Sequence, residues 1–262
     1  MHQPLAGRAI LVTRPEAQAA RLCALIETAG GEALRFPTLA ILPPRDAAKA
    51  AAVLSPTGLS VYDLAVFVSP TSVKAAFDLM DKPWPAALPV AAVGTGTARA
   101  LQARGVTGVI VPAQGADSEA LAALPRLQSV AGLRLLIVRG EGGREWLGNT
   151  LRERGAGVDY AECYRRAQPD IPESAVRAMA ERWRSGGVHA VCITSRAALV
   201  NLLKIFPGDE NTIGATPLFA AHGRIAAVAT QQGFSRVIEC EPGDESMISA
   251  LKAFFQHQLG QI

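Results

Sequence analysis

The chain has 262 residues, of which 49% are apolar, 19% charged and 5% aromatic, with a formal net charge of +3. This composition belongs to an ordinary globular protein and excludes disordered, fibrous and membrane-embedded classes. The basic residues are scattered, so the charge reads as a mixed solvated surface without a nucleic-acid footprint.

No stretch approaches the length of a membrane span, and the N-terminal "MHQPLAGRAILVTRP" lacks an apolar segment followed by a cleavage site. A cytoplasmic protein with no membrane partner is expected. The cysteines, Cys23, Cys163, Cys192 and Cys240, are far apart and form no C-x-x-C pair. Reduced thiols are therefore expected, with no metal site.

Strand-length apolar runs alternate with helical-period segments along the whole chain. "RAILVTRP" (8–15) predicts a strand and "EAQAARLCALIETAG" (16–30) a helix, followed by extended "EALRFPTLAIL". "YDLAVFVSP" (62–70) predicts the next strand, then helix "TSVKAAFDLM"; "PVAAVG" (89–94) leads to helix "TGTARALQARG". "VTGVIVP" (106–112) predicts a strand and "DSEALAALPRL" a helix. The order then recurs, with strand "LLIVRG" (135–140), helix "REWLGNTLRERG" and extended "AGVDYAECYRR". "VHAVCITS" (188–195), "TPLFAAHG" (216–223) and "FSRVIECEP" predict strands, each with a helix after it. Such alternation predicts parallel sheets in α/β domains.

The two halves keep a nearly constant offset. Arg14 aligns with Arg139 and Gly30 with Gly155, both 125 apart; Ser69 aligns with Ser195, 126 apart. Gly105 and Gly233, and Asp117-Ser118 and Glu245-Ser246, are 128 apart. This pattern predicts an internal duplication and two similar lobes with a cleft between them.

In open parallel sheets ligands bind beyond the carboxyl ends of the strands. Here those ends read "TRP" (13–15), "SPTS" (69–72), "GTGT" (94–97), "RGEGG" (139–143), "TSR" (194–196) and "HGR" (222–224), and nearly all open a helix. Free N–H groups and positive helix ends then converge on one region, which suits an anion. Ser69, Thr97, Ser118 and Ser195 read either as helix caps or as ligand hydroxyls. Arg14, Arg139 and Arg144 suit bidentate pairing with carboxylates, or else internal salt bridges. "VGTGTARA" lacks the third glycine of a dinucleotide loop and nothing matches a phosphate-binding P-loop. No G-x-S-x-G or H-E-x-x-H is present.

Taken in order, "VTRP" (12–15), "YDLAVFVSPTSV" (62–73), "AVGTGTARAL" (92–101), "DSEAL" (117–121), "LLIVRGEGGREWLGNTLRERGAGVDYAECYRR" (135–166), "VCITSRAALVNLL" (191–203) and "RIAAVATQQGF" resemble the uroporphyrinogen-III synthase family across essentially the whole chain. The resemblance implies two flavodoxin-like α/β lobes joined by a two-stranded linker. One lobe would be discontinuous, residues 1–36 with 168–262; the other would be 40–164, with crossings near 36–40 and 164–168.

It further implies closure of hydroxymethylbilane, a linear tetrapyrrole with eight carboxylates, to uroporphyrinogen III with loss of water and inversion of the terminal pyrrole. No cofactor or metal is implied. The one expected partner is the polycarboxylate substrate, bound by a monomer with at most transient contact to the preceding pathway enzyme. Tyr164 is the implied general acid. Ser69, Thr97 and Ser195 are implied binding hydroxyls, with Arg14, Gly140 and Arg144 nearby. The second lobe departs from the family's G-x-x-T-A, reading His222-Gly223-Arg224-Ile225-Ala226. Either His222 or Arg224 contacts substrate acids there, or backbone N–H groups bind alone; backbone binding at Gly223 together with Arg224 is the expectation adopted. The competing expectation is a cytosolic two-lobed sensor of an anionic ligand that binds without turnover.

Overall fold

The computed structural model describes residues 3–115 and 117–259, leaving positions 1, 2, 116 and 260–262 outside the described residues. In chain order the elements are β1 (Ala9–Val12), α1 (Glu16–Thr28), β2 (Glu32–Arg35), β3 (Ala40–Leu42), α2 (Ala47–Val53), α3 (Pro56–Leu59), β4 (Leu64–Phe67), α4 (Pro70–Leu79), β5 (Val90–Ala92), α5 (Thr95–Gln102), α6 (Ser118–Ala122) and α7 (Pro125–Gln128). They continue with β6 (Arg134–Gly140), α8 (Trp146–Glu153), β7 (Gly157–Ala167), α9 (Glu173–Arg184), β8 (Ala190–Ile193), α10 (Arg196–Ile205), α11 (Glu210–Ala215), β9 (Leu218–Ala220), α12 (Gly223–Gln231), β10 (Val237–Glu239) and α13 (Asp244–Leu259). None of the described helices is long and apolar enough to cross a membrane.

The chain divides into two compact units, one running to Ala40 and resuming at Ala167, the other Ile41–Arg166. In the discontinuous unit the sheet order is β10-β9-β8-β1-β2, every pair parallel. Renumbered from β1 this is the flavodoxin-like order, and the strand order reverses between β1 and β8. The other sheet runs β3-β7-β6-β4-β5, with β6, β7, β4 and β5 parallel, and reverses between β6 and β4.

Central strands are buried on both faces, which is why they read as unbroken apolar runs instead of alternating ones. In β1, Ile10 and Val12 pack toward α1 and α13 residues such as Leu22 and Met247, while Ala9 and Leu11 pack with Leu199 and Leu202 of α10. In the continuous unit, Phe67 and Val138 pack with Val73 and Ala98, while Val66 and Ile137 pack with Leu121 and Leu147.

Matched positions of the two halves occupy comparable places. Gly30 and Gly155 follow α1 and α8 with φ of +86° and +87°, the left-handed turn that ends a helix cheaply only with glycine. Ser69 and Ser195 cap α4 and α10.

Two expectations need correction. Residues 106–112 form no extended strand; Ile110 alone bridges to Ala91. Gly105 and Gly108 take φ of +83° and +64°, and Pro112 lacks a donor, so extended pairing cannot propagate. The helix expected over "DSEALAALPRL" is broken into α6 and α7, because Pro125 begins a new helix and holds Leu124 extended at ψ 138°. The expected alternation also passed over α2, α3, α9 and α11.

Candidate active site

The strand-end loops lie where the parallel order places them, at the carboxyl edge of each sheet. In the continuous unit the reversal point is flanked by Ser69, just past β4, and by Gly140, the last residue of β6. Gly140 pairs with Tyr164 of β7, and the register shifts there: Arg139 pairs with Glu162, so Cys163 is an extra residue on β7. A bulge of this kind re-aims the next side chain. The Tyr164 ring lies directly against Gly140, where a Cβ would stand 2.6 Å from its Cε2 and Cζ.

Tyr164 is 1% exposed. Its phenolic oxygen accepts a hydrogen bond from Arg166 Nη2 at 2.9 Å and stands 3.5 Å from Ser69 Oγ. Ser69 also forms a capping box with Ser72, its Oγ accepting the Ser72 N–H at 3.0 Å. One serine thus both caps α4 and reaches the phenol.

The other hydroxyls divide differently from the capping expectation. Thr97 is not a cap; Gly94 holds that position, and Thr97, 3% exposed, makes no side-chain hydrogen bond among the described residues. Ser118 is the first residue of α6, and Asp117 caps it by accepting the Ala120 N–H at 2.9 Å. Ser195 does cap α10, accepting the Ala198 N–H at 3.1 Å. At α12 the cap is His222, whose Nδ1 accepts the Arg224 N–H at 3.0 Å. The Arg224 N–H is therefore already used, while the N–H groups of Thr95, Gly96, Arg196, Ala197 and Gly223 meet no acceptor among the described residues.

The arginines are largely committed within the protein. Arg139, 7% exposed, donates to Glu162 Oε1 at 3.0 Å, pairs with Glu145 at 2.7 Å and stacks 3.6 Å from the Tyr160 ring centroid. Tyr160 in turn donates to Glu145 at 2.7 Å, and both that bond and Arg139 hold the Glu145 carboxyl below its usual range. Arg14 pairs with Asp244, and its buried Nε finds no hydrogen-bond partner among the described residues. Arg144 forks onto Glu119 at 3.0 and 3.4 Å, an exposed pair that ties the 141–145 loop to α6.

Sequence reasoning missed Arg166, Glu145, Tyr160 and Glu162. Arg166 carried a usable signal: on a strand, residues two apart share a face, so it belongs beside Tyr164. Cavities of about 380 and 400 Å³ open at the opposite, amino edges of the sheets, beside Arg8, His189 and Arg236 and beside Asp63 and Leu133; no candidate residue lines either. Among the described residues, no three His, Cys, Asp or Glu side chains are grouped as metal ligands.

Two doubly wound parallel units, each with a reversal of strand order, make this chain a two-domain α/β protein. Solved structures share the fold: a mutant uroporphyrinogen III synthase from Thermus thermophilus has a TM-score of 0.63 at 20% identity, covering 97% of this chain and 100% of that one. The uroporphyrinogen-III synthetase of Helicobacter pylori gives 0.63 at 14% identity, covering 94% and 99%. Residues 20–249 match the uroporphyrinogen-III synthase HemD family, and the chain belongs to it. It is 33% identical over 249 residues to the uroporphyrinogen-III synthase of Escherichia coli, covering 93% of this chain and 99% of that protein. The enzyme of Synechococcus elongatus is 30% identical over 220 residues, covering 79% and 78%.

Proposed function

We propose that this chain is a uroporphyrinogen-III synthase, a lyase that closes hydroxymethylbilane with loss of water and inversion of the terminal pyrrole. Membership of the family favours turnover over a sensor that binds without reaction. The single observation that carries the chemistry is the buried Tyr164 phenol, set by a bulge in the β6–β7 pairing and receiving a hydrogen bond from the Arg166 guanidinium, with Ser69 Oγ 3.5 Å away.

In the reading we adopt, Tyr164 donates its proton to the departing hydroxyl. The C–O bond of the hydroxymethyl group breaks with its electron pair on oxygen, and water leaves. The pyrrole nitrogen lone pair supports the electron-poor carbon, which the substituted α-carbon of the terminal pyrrole attacks to form a spiro centre. The bond from that centre to its original methylene then breaks, leaving the methylene electron-poor and stabilised by its own pyrrole nitrogen. The free α-carbon of the now inverted terminal pyrrole attacks it to close the ring. The proton released when the new pyrrole regains aromaticity returns the phenolate to phenol. Acid assistance of this kind contributes about 10²-fold or more, and holding a flexible chain folded supplies much of the rest.

The unpaired N–H groups at the starts of α5, α10 and α12 are natural donors to substrate carboxylates, with Thr97 Oγ1 and Ser69 beside them. Arg14 and Arg144 stand at the same edges with their charges paired to Asp244 and Glu119, and Arg224 stands in the first turn of α12. We assign Arg139 to holding its loop, since its charge is spent on Glu145 and Glu162. We place the enzyme in the cytoplasm as a monomer.

The test supplies hydroxymethylbilane generated in situ and separates the product isomers after oxidation. Predominant type III product supports the assignment. Type I alone, which forms without catalysis, overturns it.

A further inference from the structure

We infer that Arg166 is the positioning residue that keeps Tyr164 a proton donor, through the hydrogen bond from its guanidinium to the phenolic oxygen. The inference rests on the reading of Tyr164 as the acid and deepens it.

A phenol has one hydrogen to give and an oxygen that accepts, whereas a guanidinium only donates. Arg166 Nη2 donates to the phenolic oxygen at 2.9 Å, so the Tyr164 hydrogen points elsewhere. The other side-chain oxygen within reach is Ser69 Oγ at 3.5 Å, beyond the 2.5–3.0 Å usual for O–H···O bonds. That oxygen already accepts from the Ser72 N–H. The phenol hydrogen is therefore held loosely, as a group that must hand it over requires.

Charge points the same way. As the proton leaves, negative charge develops on the phenolic oxygen, and a donor already in place there stabilises it without reorganisation. Arg139, on the neighbouring strand, is neutralised by Glu145 and Glu162, but Arg166 forms no ion pair among the described residues. Its guanidinium carbon also lies 5.2 Å from the Tyr164 ring centroid, which fixes the side chain over the ring it serves. The strand makes the pairing: Tyr164 and Arg166 are two residues apart on β7 and share a face.

A double-mutant cycle tests this, with kcat and KM measured on in situ hydroxymethylbilane for Arg166→Gln, Arg166→Lys, Tyr164→Phe and Tyr164→Phe/Arg166→Gln. Arg166→Gln is expected to lower kcat about tenfold with KM changed less than about twofold, because a charge-assisted bond is lost. Arg166→Lys, which still donates, should recover part of that loss. In the Tyr164→Phe background the Arg166→Gln change should alter kcat by less than about twofold, since residues acting as one unit are not additive. Equal losses in both backgrounds, or a raised KM at unchanged kcat, overturn the inference and make Arg166 a direct substrate contact. Full kcat in Tyr164→Phe alone overturns the acid reading itself. Arg166 is exposed, so an unchanged denaturation midpoint is expected to confirm that the variants fold.

Discussion

Gly140 and Tyr164 face each other across the β6–β7 pairing so closely that any side chain at 140 would enter the phenol ring, 2.6 Å from Cε2 and Cζ. The glycine is required by this contact and not by its backbone angles. The bulge that adds Cys163 to β7 brings the two together.

Gly140→Ala should therefore cost about 1–3 kcal/mol, the range for overpacking a filled site. Urea denaturation measures it. Tyr164→Ala removes the ring, so the added cost of Gly140→Ala should largely vanish in that background. An undiminished cost there would place the clash elsewhere.

Arg139 holds together three partners on two segments, Glu145 at the start of α8 and both Glu162 and the Tyr160 ring on β7. Its own side chain is 8% exposed while the carboxylates are 51% and 39% exposed, so the pairs lie between the buried and surface cases. Arg139→Met should destabilise by about 2–3 kcal/mol. Arg139→Lys should recover less than half, because an ammonium can neither fork nor stack as a guanidinium does. Equal stability of the lysine variant and wild type would contradict this account.

His189 gives a pH signature. Burial, and then the nearby Arg8 guanidinium, lower its pKa, and its Nδ1 accepts the Ala9 N–H at 3.0 Å at the start of β1. The folded state favours the neutral ring. Its contribution is thus complete above the ordinary histidine value near ~6.5 and is lost as pH falls from there toward the lower folded-state value. Between about pH 7.5 and about pH 5.5 the wild-type denaturation midpoint should fall further than that of His189→Gln. Parallel falls would remove His189 from the acid response.

All four cysteines are reduced and buried. Burial pushes Cys163 up to about 12 and Cys240 up to about 11, and raises Cys192 and Cys23 as well. Since the thiolate is the reactive form, none should react with a disulfide reagent at neutral pH until the chain unfolds. Rapid modification of a native thiol would show that its core opens.

Much of this fold was legible in the sequence because parallel strands buried on both faces leave continuous apolar runs, as in "AILV" and "LAVF". Helix ends were legible for the same kind of reason, glycine at 30 and 155 being a local steric requirement. Helix α9 was overlooked although Val176, Ala180 and Trp183 mark one face at helical spacing. What stayed hidden depends on distant partners. Arg14 meets Asp244, 230 residues away, and Arg139 meets Glu162 across a bulge that no local pattern announces. A strand-end arginine looks the same in sequence whether its charge faces a ligand or a carboxylate of its own chain. His222 stands where the first half has Gly94, and only the geometry identifies its ring nitrogen as the cap of α12.

The most direct measurement is the steady-state rate of Tyr164→Phe on hydroxymethylbilane, read as kcat and KM together with the product isomer. The phenyl ring keeps the packing against Gly140 and removes only the hydroxyl held by Arg166. The account predicts kcat lower by about 10²-fold, KM within about twofold and type III product retained, because a transition-state proton donor is lost while binding is not. A variant with wild-type kcat would contradict it and move the proton donor away from Tyr164.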